Sequence, residues 1–302
     1  MRAKGHSPAR TPLRCRAMSD DVLDLVLVTA ALVVGGLAGW LLHGQLGRRR
    51  LARKQRFLGL PPESECLLVV PRDPGSRGWS LARHDAFALL ELSAAIKECG
   101  AHAEVLAHDT AWQGFGARTE FCVGNPASNL RLAAHLRSML PGLEVDTSPA
   151  PGPDQGAITV GGETYRMEKG AVEYVLLARL ASNRESGNDR PVFLASGQRG
   201  IADQAATRYL ARHQVRLARR YGLDATFCLL LRVVNSQAYG ADVVELVGDV
   251  TRAATGPARS ARTGGRGLGR GIGRGAGRDG KESAANRAEA PGDADREGAA
   301  GS

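Results

Sequence analysis

The sequence predicts an α/β fold: a mostly parallel three-layer sheet with an antiparallel edge, behind one transmembrane helix and ahead of a tail that builds no core. Three observations predict it. An uncharged apolar run of 23 residues, Leu25 to Gly47, lies near the N-terminus. From Cys66 to Val250, short apolar runs alternate with longer helix-like segments, the pattern of strands interleaved with helices. Beyond Thr255 the chain is glycine, arginine and alanine with almost no large apolar residue, too little to offset the entropy of ordering.

The charge divides along the same boundaries. Of the net +9 in 302 residues, residues 1–56 carry +8, residues 255–302 carry +3, and residues 57–254 carry −2. A nucleic-acid-binding core normally carries its own positive face, so the near-neutral middle predicts no specific nucleic-acid recognition by the core. Five cysteines in a chain this long exclude a disulfide-stapled secreted module.

Taken in order, residues 1–21 read as an N-terminal extension. Arg2, Lys4, Arg10, Arg14 and Arg16 precede Met18, and Met18-Ser19-Asp20-Asp21 makes a natural acidic beginning, so Met18 is the expected start. Residues 22–47 read as the transmembrane helix. The uncharged run would cover about 34 Å as a helix, against a hydrocarbon core of about 30 Å. A signal peptide has a shorter apolar region followed by a small-residue cleavage site. This run ends instead in Arg48, Arg49, Arg50, Arg53, Lys54 and Arg56. By the positive-inside rule the N-terminus is outside and the bulk cytoplasmic, in the cell membrane. The bilayer and its anionic headgroups are therefore the first expected partners. Ala31, Gly35 and Gly39 share one helix face, the small-residue spacing that lets two helices approach, which makes them the expected contact of a homodimer. Residues 48–60 read as a basic juxtamembrane linker.

Residues 61–254 read as the cytoplasmic domain. Cys66–Val70 is a buried strand ended by Pro71. Ser80 caps a helix to about Cys99, with Phe87, Leu90, Ala94 and Ile96 inward, and Gly100 ends it. His102–Ala107 and Thr119–Val123 are strands, and Asn129–Leu140 is a helix stopped by Pro141-Gly142. A Pro/Gly/Asp-rich loop fills 146–156. Ala157–Val160 and Glu163–Met167 flank Gly161-Gly162 as a hairpin. Val172–Leu180 and Pro191–Ala195 are strands, and Ile201–Tyr221 is a long helix ended by Gly222. Ala225–Val234 and Asp242–Val250 close the domain as an antiparallel pair. The arrangement is Rossmann-like.

In such sheets ligands lie beyond the carboxyl ends of the strands. Two strand–glycine loop–helix junctions stand there: Gly124, Asn125, Pro126, Ala127, Ser128, Asn129, and Ser196, Gly197, Gln198, Arg199, Gly200. Glycine admits close backbone approach, and a helix N-terminus offers unpaired N–H groups to an anion. Arg72 and Arg77 lie after the first strand. Plain turn and capping chemistry uses the same residue types, and neither loop is a P-loop or a GxGxxG fingerprint. Asp73, His108, Asp109 and Glu120 are the candidate acid–base groups. His135 and His213, beside arginines on helices, are expected in solvent. Cys66, Cys122 and Cys228 fall within strands and are expected to act as small hydrophobes. No metal set and no cofactor is indicated. In the tail, Arg262, Arg266, Arg270, Arg274 and Arg278 recur every fourth residue, a composition for loose contact with RNA or anionic lipid.

At GNPASN, SGQRGIADQAATRYLARH and FCLLLRVVNSQAYGADVVELVGDV the chain resembles a group of uncharacterised actinobacterial membrane proteins, over about residues 18–254. The resemblance implies a single span before an α/β domain and supports Met18 as the start. It carries no activity or catalytic residue across. The function expected first is a membrane-anchored sensing or binding module for a nucleotide-like or other anionic ligand. An enzyme acting on a nucleotide or sugar-nucleotide, and a ligand-free membrane scaffold, are the alternatives.

Overall fold

The computed structural model describes residues 17–72, 80–110, 116–150, 152–181 and 190–257. It opens on a single helix, α1 (Ala17–Leu58), of 42 residues, about 63 Å long. Residues 48–58, read from their charge as a linker, are instead its last three turns. Neither proline nor glycine interrupts Arg48 to Leu58, and Phe57 and Leu58 are buried in the domain core, so the helix is held from its far end. Along the first part of α1 the apolar side chains face outward: Leu32 is 72% and Trp40 73% exposed. α1 is long and apolar enough to cross a membrane.

The end of α1 is fastened by a buried cation. Arg179 donates from Nε to the Phe57 carbonyl at 3.1 Å and from Nη1 to the Ala225 carbonyl at 2.9 Å. It lies over the rings of Phe57 and Phe193. Burial brings its pKa down to about 10, so it stays charged against the negative end of the helix. Gly59 then turns the chain at φ +66°, where a Cβ would meet the Pro191 ring and Thr119 Oγ1. Gly59→Ala is expected to cost about 2 kcal/mol, from the left-handed backbone and overpacking together. Chemical denaturation of the full chain checks it; an unchanged midpoint would refute the tight turn.

The domain is built on β1 (Glu65–Val70), β2 (His102–Ala107), β3 (Thr119–Val123), β7 (Val172–Leu180), β8 (Val192–Gly197), β9 (Phe227–Val234) and β10 (Val244–Asp249), in the order β10-β9-β7-β8-β3-β1-β2. The strands β2, β1, β3 and β8 are mutually parallel neighbours. β7 is antiparallel to both β8 and β9, and β10 to β9. Five strands therefore share one direction and the sheet is mixed but mostly parallel. Antiparallel pairing was expected only at the closing edge, yet β7 runs through the middle.

One face of the sheet is covered by α2 (Arg83–Glu98), α4 (Gly200–Tyr221) and the end of α1, around a cluster including Phe57, Phe121, Phe193 and Phe227. The other carries α3 (Leu130–Met139), α6 (Thr251–Thr255) and a small antiparallel sheet of β4 (Leu143–Val145), β5 (Ile158–Val160) and β6 (Glu163–Tyr165). The third layer is thus partly strand. β5 and β6 form the hairpin at Gly161-Gly162, while three-residue β4 gave no periodic signal.

The inward face of α2 differs from expectation. Ile96 is buried as expected, together with Ala88, Leu89, Leu92 and Ala95, whereas Ala94 is exposed and so are Phe87 at 43% and Leu90 at 65%. The reason is its second contact: α2 packs against α4 as well as the sheet, and alanines at the crossing let the two helices come close. Ser80 is not the cap; Ala82 holds that position without a side-chain hydrogen bond.

Candidate functional site

Because β1, β2, β3 and β8 are parallel, Arg72, His108, Asp109, Gly124–Asn129 and Ser196–Gly200 all emerge at the same end of the sheet. Gly124 N–H bonds the Ala195 carbonyl at 3.0 Å, tying the two glycine loops at their roots. Beyond that point they separate, since α3 and α4 lie on opposite faces. Asp73, Gly75, Arg77 and Trp79 lie outside the described residues.

The first loop is occupied with its own structure. Asn129 is fully buried; its Nδ2 donates to the Val123 carbonyl at 2.9 Å and the Val69 carbonyl at 3.3 Å, and its Oδ1 caps α3 by accepting from Leu132 N–H at 3.0 Å. Asn125 Oδ1 accepts from Ala127 N–H and Ser128 Oγ donates to the Asn125 carbonyl. The expected ligand groups therefore close the turn and clamp the ends of β1 and β3. Nearby, Leu130 N–H points to His108 Nδ1 at 3.4 Å, and Asp109 pairs with Arg72 at 3.2 Å.

Glu120, read as an acid–base candidate, lies in a buried ion network. It is 1% exposed; Arg131 donates from Nε and Nη2 to its two oxygens at 2.7 and 2.6 Å, and His135 Nε2 lies 3.1 Å from Oε2. Burial alone would raise its pKa, but hydrogen bonds from Arg131 and His135 outweigh that and bring it to about 2, too low for a general base at neutral pH. His135, expected in solvent, is buried for the same reason, and His213 packs on the Tyr209 ring with Nδ1 3.0 Å from the Tyr209 carbonyl. Glu120, Cys122 and His135 bring ligand atoms within 4.8 Å of one another. A metal ion there would have to displace Arg131 and ionise a thiol that burial pushes far above its usual range, so the trio fits an ion network and not a metal centre. Cys66 and Cys228 are likewise buried, with thiols pushed up to about 12 by burial, and act as hydrophobes.

The second loop borders open space. A cleft of about 550 Å³ is lined by Arg83 and His84 from the first turn of α2, Lys169 from the bend before β7, Arg199 and Ile201 at the start of α4, and Ser236 and Gln237 from α5 (Ser236–Tyr239). It therefore stands beyond the carboxyl ends of β8 and β9. Neither α2 nor α4 has a side-chain cap at its N-terminus. Three cations and two helix N-termini face this space, a combination suited to an anion.

Of the ligand-loop residues expected from the sequence, only Arg199 lines this cleft. Arg199 Nη1 pairs at 2.5 Å with Glu173, which is fully buried and also accepts from Gly170 N–H. Gln198 is spent: Oε1 accepts from Tyr174 N–H and Nε2 donates to the Tyr165 carbonyl, each at 2.8 Å. Ser196 is buried beneath the loop, its Oγ without a partner among the described residues. Gly197 N–H bonds Asp203 Oδ1 at 2.5 Å. Asp203 and Asp85 are both buried where α4 meets α2. Burial and then the Asp85 carboxylate hold the Asp203 pKa well above its ordinary value, against the Gly197 N–H. His84 Nδ1 lies 3.0 Å from Gln204 Oε1 and continues this contact. Arg83, Lys169 and Ser236 come from distant parts of the chain, and no local motif marks them. Comparison with protein families, curated proteins and solved structures finds no match to this chain.

Proposed function

We propose that this chain is a single-pass, membrane-anchored binding module whose cytoplasmic domain takes an anionic, phosphate-bearing small ligand in the cleft between the starts of α2 and α4. The observation that carries the reading is the convergence of Arg83, Lys169 and Arg199 with two uncapped helix N-termini on one open cleft. Nearly neutral as a whole, the domain concentrates positive charge where parallel strands deliver it. The strand order reverses around β1, with α2 and α3 on opposite faces, which supports a Rossmann-like reading of the fold and not the position of the cleft. Binding is favoured over catalysis because Glu120 and Asp109 are ion-paired and His108 meets the start of α3. The exposed apolar surface of α1 supports a membrane span, and the arginines that follow it favour a cytoplasmic domain by the positive-inside rule. Gly35 and Gly39 face open space, which leaves that helix face available to a second copy.

The test is thermal melting of the full chain in detergent with inorganic phosphate, nucleotides, sugar phosphates and dinucleotides. Saturation about a hundredfold above Kd stabilises by about 2.7 kcal/mol, a shift of several degrees for a chain this size. Arg83→Glu/Lys169→Glu, both exposed positions, should fold as the parent and lose the shift. Equal shifts in parent and variant would move the site elsewhere, and no shift with any probe would overturn the anion reading.

A further inference from the structure

A second cleft, of about 490 Å³, lies between α1 and α4. Its walls are Leu46, Arg49, Arg50, Arg53, Lys54 and Phe57 on α1, with Gln214, Val215, Ala218 and Arg219 facing them from α4. We propose that this crevice holds one anionic phospholipid drawn from the bilayer around α1. The inference rests on the reading of α1 as a membrane span.

Three observations select that occupant. The first is position. Leu46 ends the apolar run and Phe57 enters the domain core, so the crevice covers about 16 Å of helix beginning where hydrocarbon gives way to headgroups. The second is uncompensated charge. Lys54 pairs with Glu98, but Arg49, Arg50, Arg53 and Arg219 make no ion pair among the described residues, although nine other arginines of this chain do. Four guanidinium groups around one opening repel one another unless an anion lies among them, and guanidinium matches phosphate through paired N–H donors.

The third is amphipathic lining. Leu46 and Val215 are about half exposed at the walls, and Phe57 and Ala218 lie buried below them. A soluble phosphate or a nucleic-acid backbone has no use for such a floor, whereas the glycerol and first methylenes of a lipid cover it. Gln214 on the same wall also has a buried Oε1 without a donor among the described residues. The lipid joins two elements: its phosphate bridges arginines on α1 to Arg219 on α4, so an anionic leaflet stiffens the junction between anchor and domain.

The experiment uses the full chain in nanodiscs of phosphatidylcholine alone or phosphatidylcholine with phosphatidylglycerol, read by thermal melting and by native mass spectrometry of lipid retained after detergent extraction. Phosphatidylglycerol should raise the melting temperature and remain bound at one per chain. Arg49→Gln/Arg53→Gln/Arg219→Gln should weaken retention about tenfold or more. Arg48→Gln/Arg212→Gln/Arg252→Gln, with the same change of charge outside the crevice, should leave retention unchanged. Equal losses in the two triple variants would mean diffuse surface attraction and overturn the crevice, as would retention unaffected by either. Carbonate extraction of cell membranes separates the two readings. A chain released by carbonate refutes the span and the inference with it, while an inserted chain without lipid preference refutes the crevice alone.

Discussion

Glu120→Gln should remove about 3 kcal/mol of stability at neutral pH, because breaking a buried ion pair leaves its partner uncompensated. The carboxylate sits at the base of α3 with both oxygens taken by Arg131 and one shared with His135. Glutamine keeps the shape but removes the charge that holds Arg131 and His135 under the sheet. The pH dependence has a definite sign. Glu120 titrates at about 2 in the folded chain against an ordinary 4.5, so its contribution is fully present above pH 4.5 and drains away as pH falls toward 2. That interval corresponds to about 3 kcal/mol. Urea midpoints of parent and variant should therefore differ most near neutrality and converge in acid. Replacing Glu120, Arg131 and His135 together by apolar residues of similar size should recover much of the loss, since no charge is then stranded. A gap that persists unchanged in acid would show that the charge of Glu120 is not what stabilises this position.

This network also marks where the sequence stopped being legible. The strand Thr119–Val123 and the helix after it were readable from local pattern, because apolar runs and capping residues are local signals. That Glu120 faces α3 and not solvent depends on which face of the sheet α3 covers, and nothing in its neighbours states that. The same holds for α2, whose inward face is set by the alanines of α4 more than a hundred residues away. The central antiparallel strand β7 was readable as a strand but not as a direction. For the candidate site, the β8–α4 junction was visible as glycine before a helix. No local pattern singles out Lys169 or Arg83, and only the tertiary fold makes them neighbours. Asn129 teaches the converse: a polar residue in a glycine loop looks like a ligand contact until its amide and carbonyl are both found closing the turn.

Asp203 supplies the opposite sign. Burial and the neighbouring Asp85 hold its pKa well above the ordinary 3.8. A carboxyl with a raised folded pKa contributes its full stability below the unfolded value and loses it as pH rises through the folded one. The parent should therefore weaken, relative to Asp203→Asn, by up to about 1.4 kcal/mol for each pH unit across that range. Asparagine retains an oxygen for the Gly197 N–H at 2.5 Å and removes the charge facing Asp85, so the variant should melt higher than the parent at mildly alkaline pH and alike at pH 4. The consequence reaches the cleft, because Gly197 and Gly200 lie against Asp203 and Asp85 respectively, and these contacts set how closely the starts of α2 and α4 approach. Ionising Asp203 would push those two N-termini apart and add negative charge beneath a site suited to an anion. Phosphate-dependent stabilisation of the parent should accordingly fade as pH rises, and Asp203→Asn should preserve it. If parent and variant lose that stabilisation in parallel, the carboxyl pair is not what holds the cleft together, and the titrating group must be the ligand or another cleft residue.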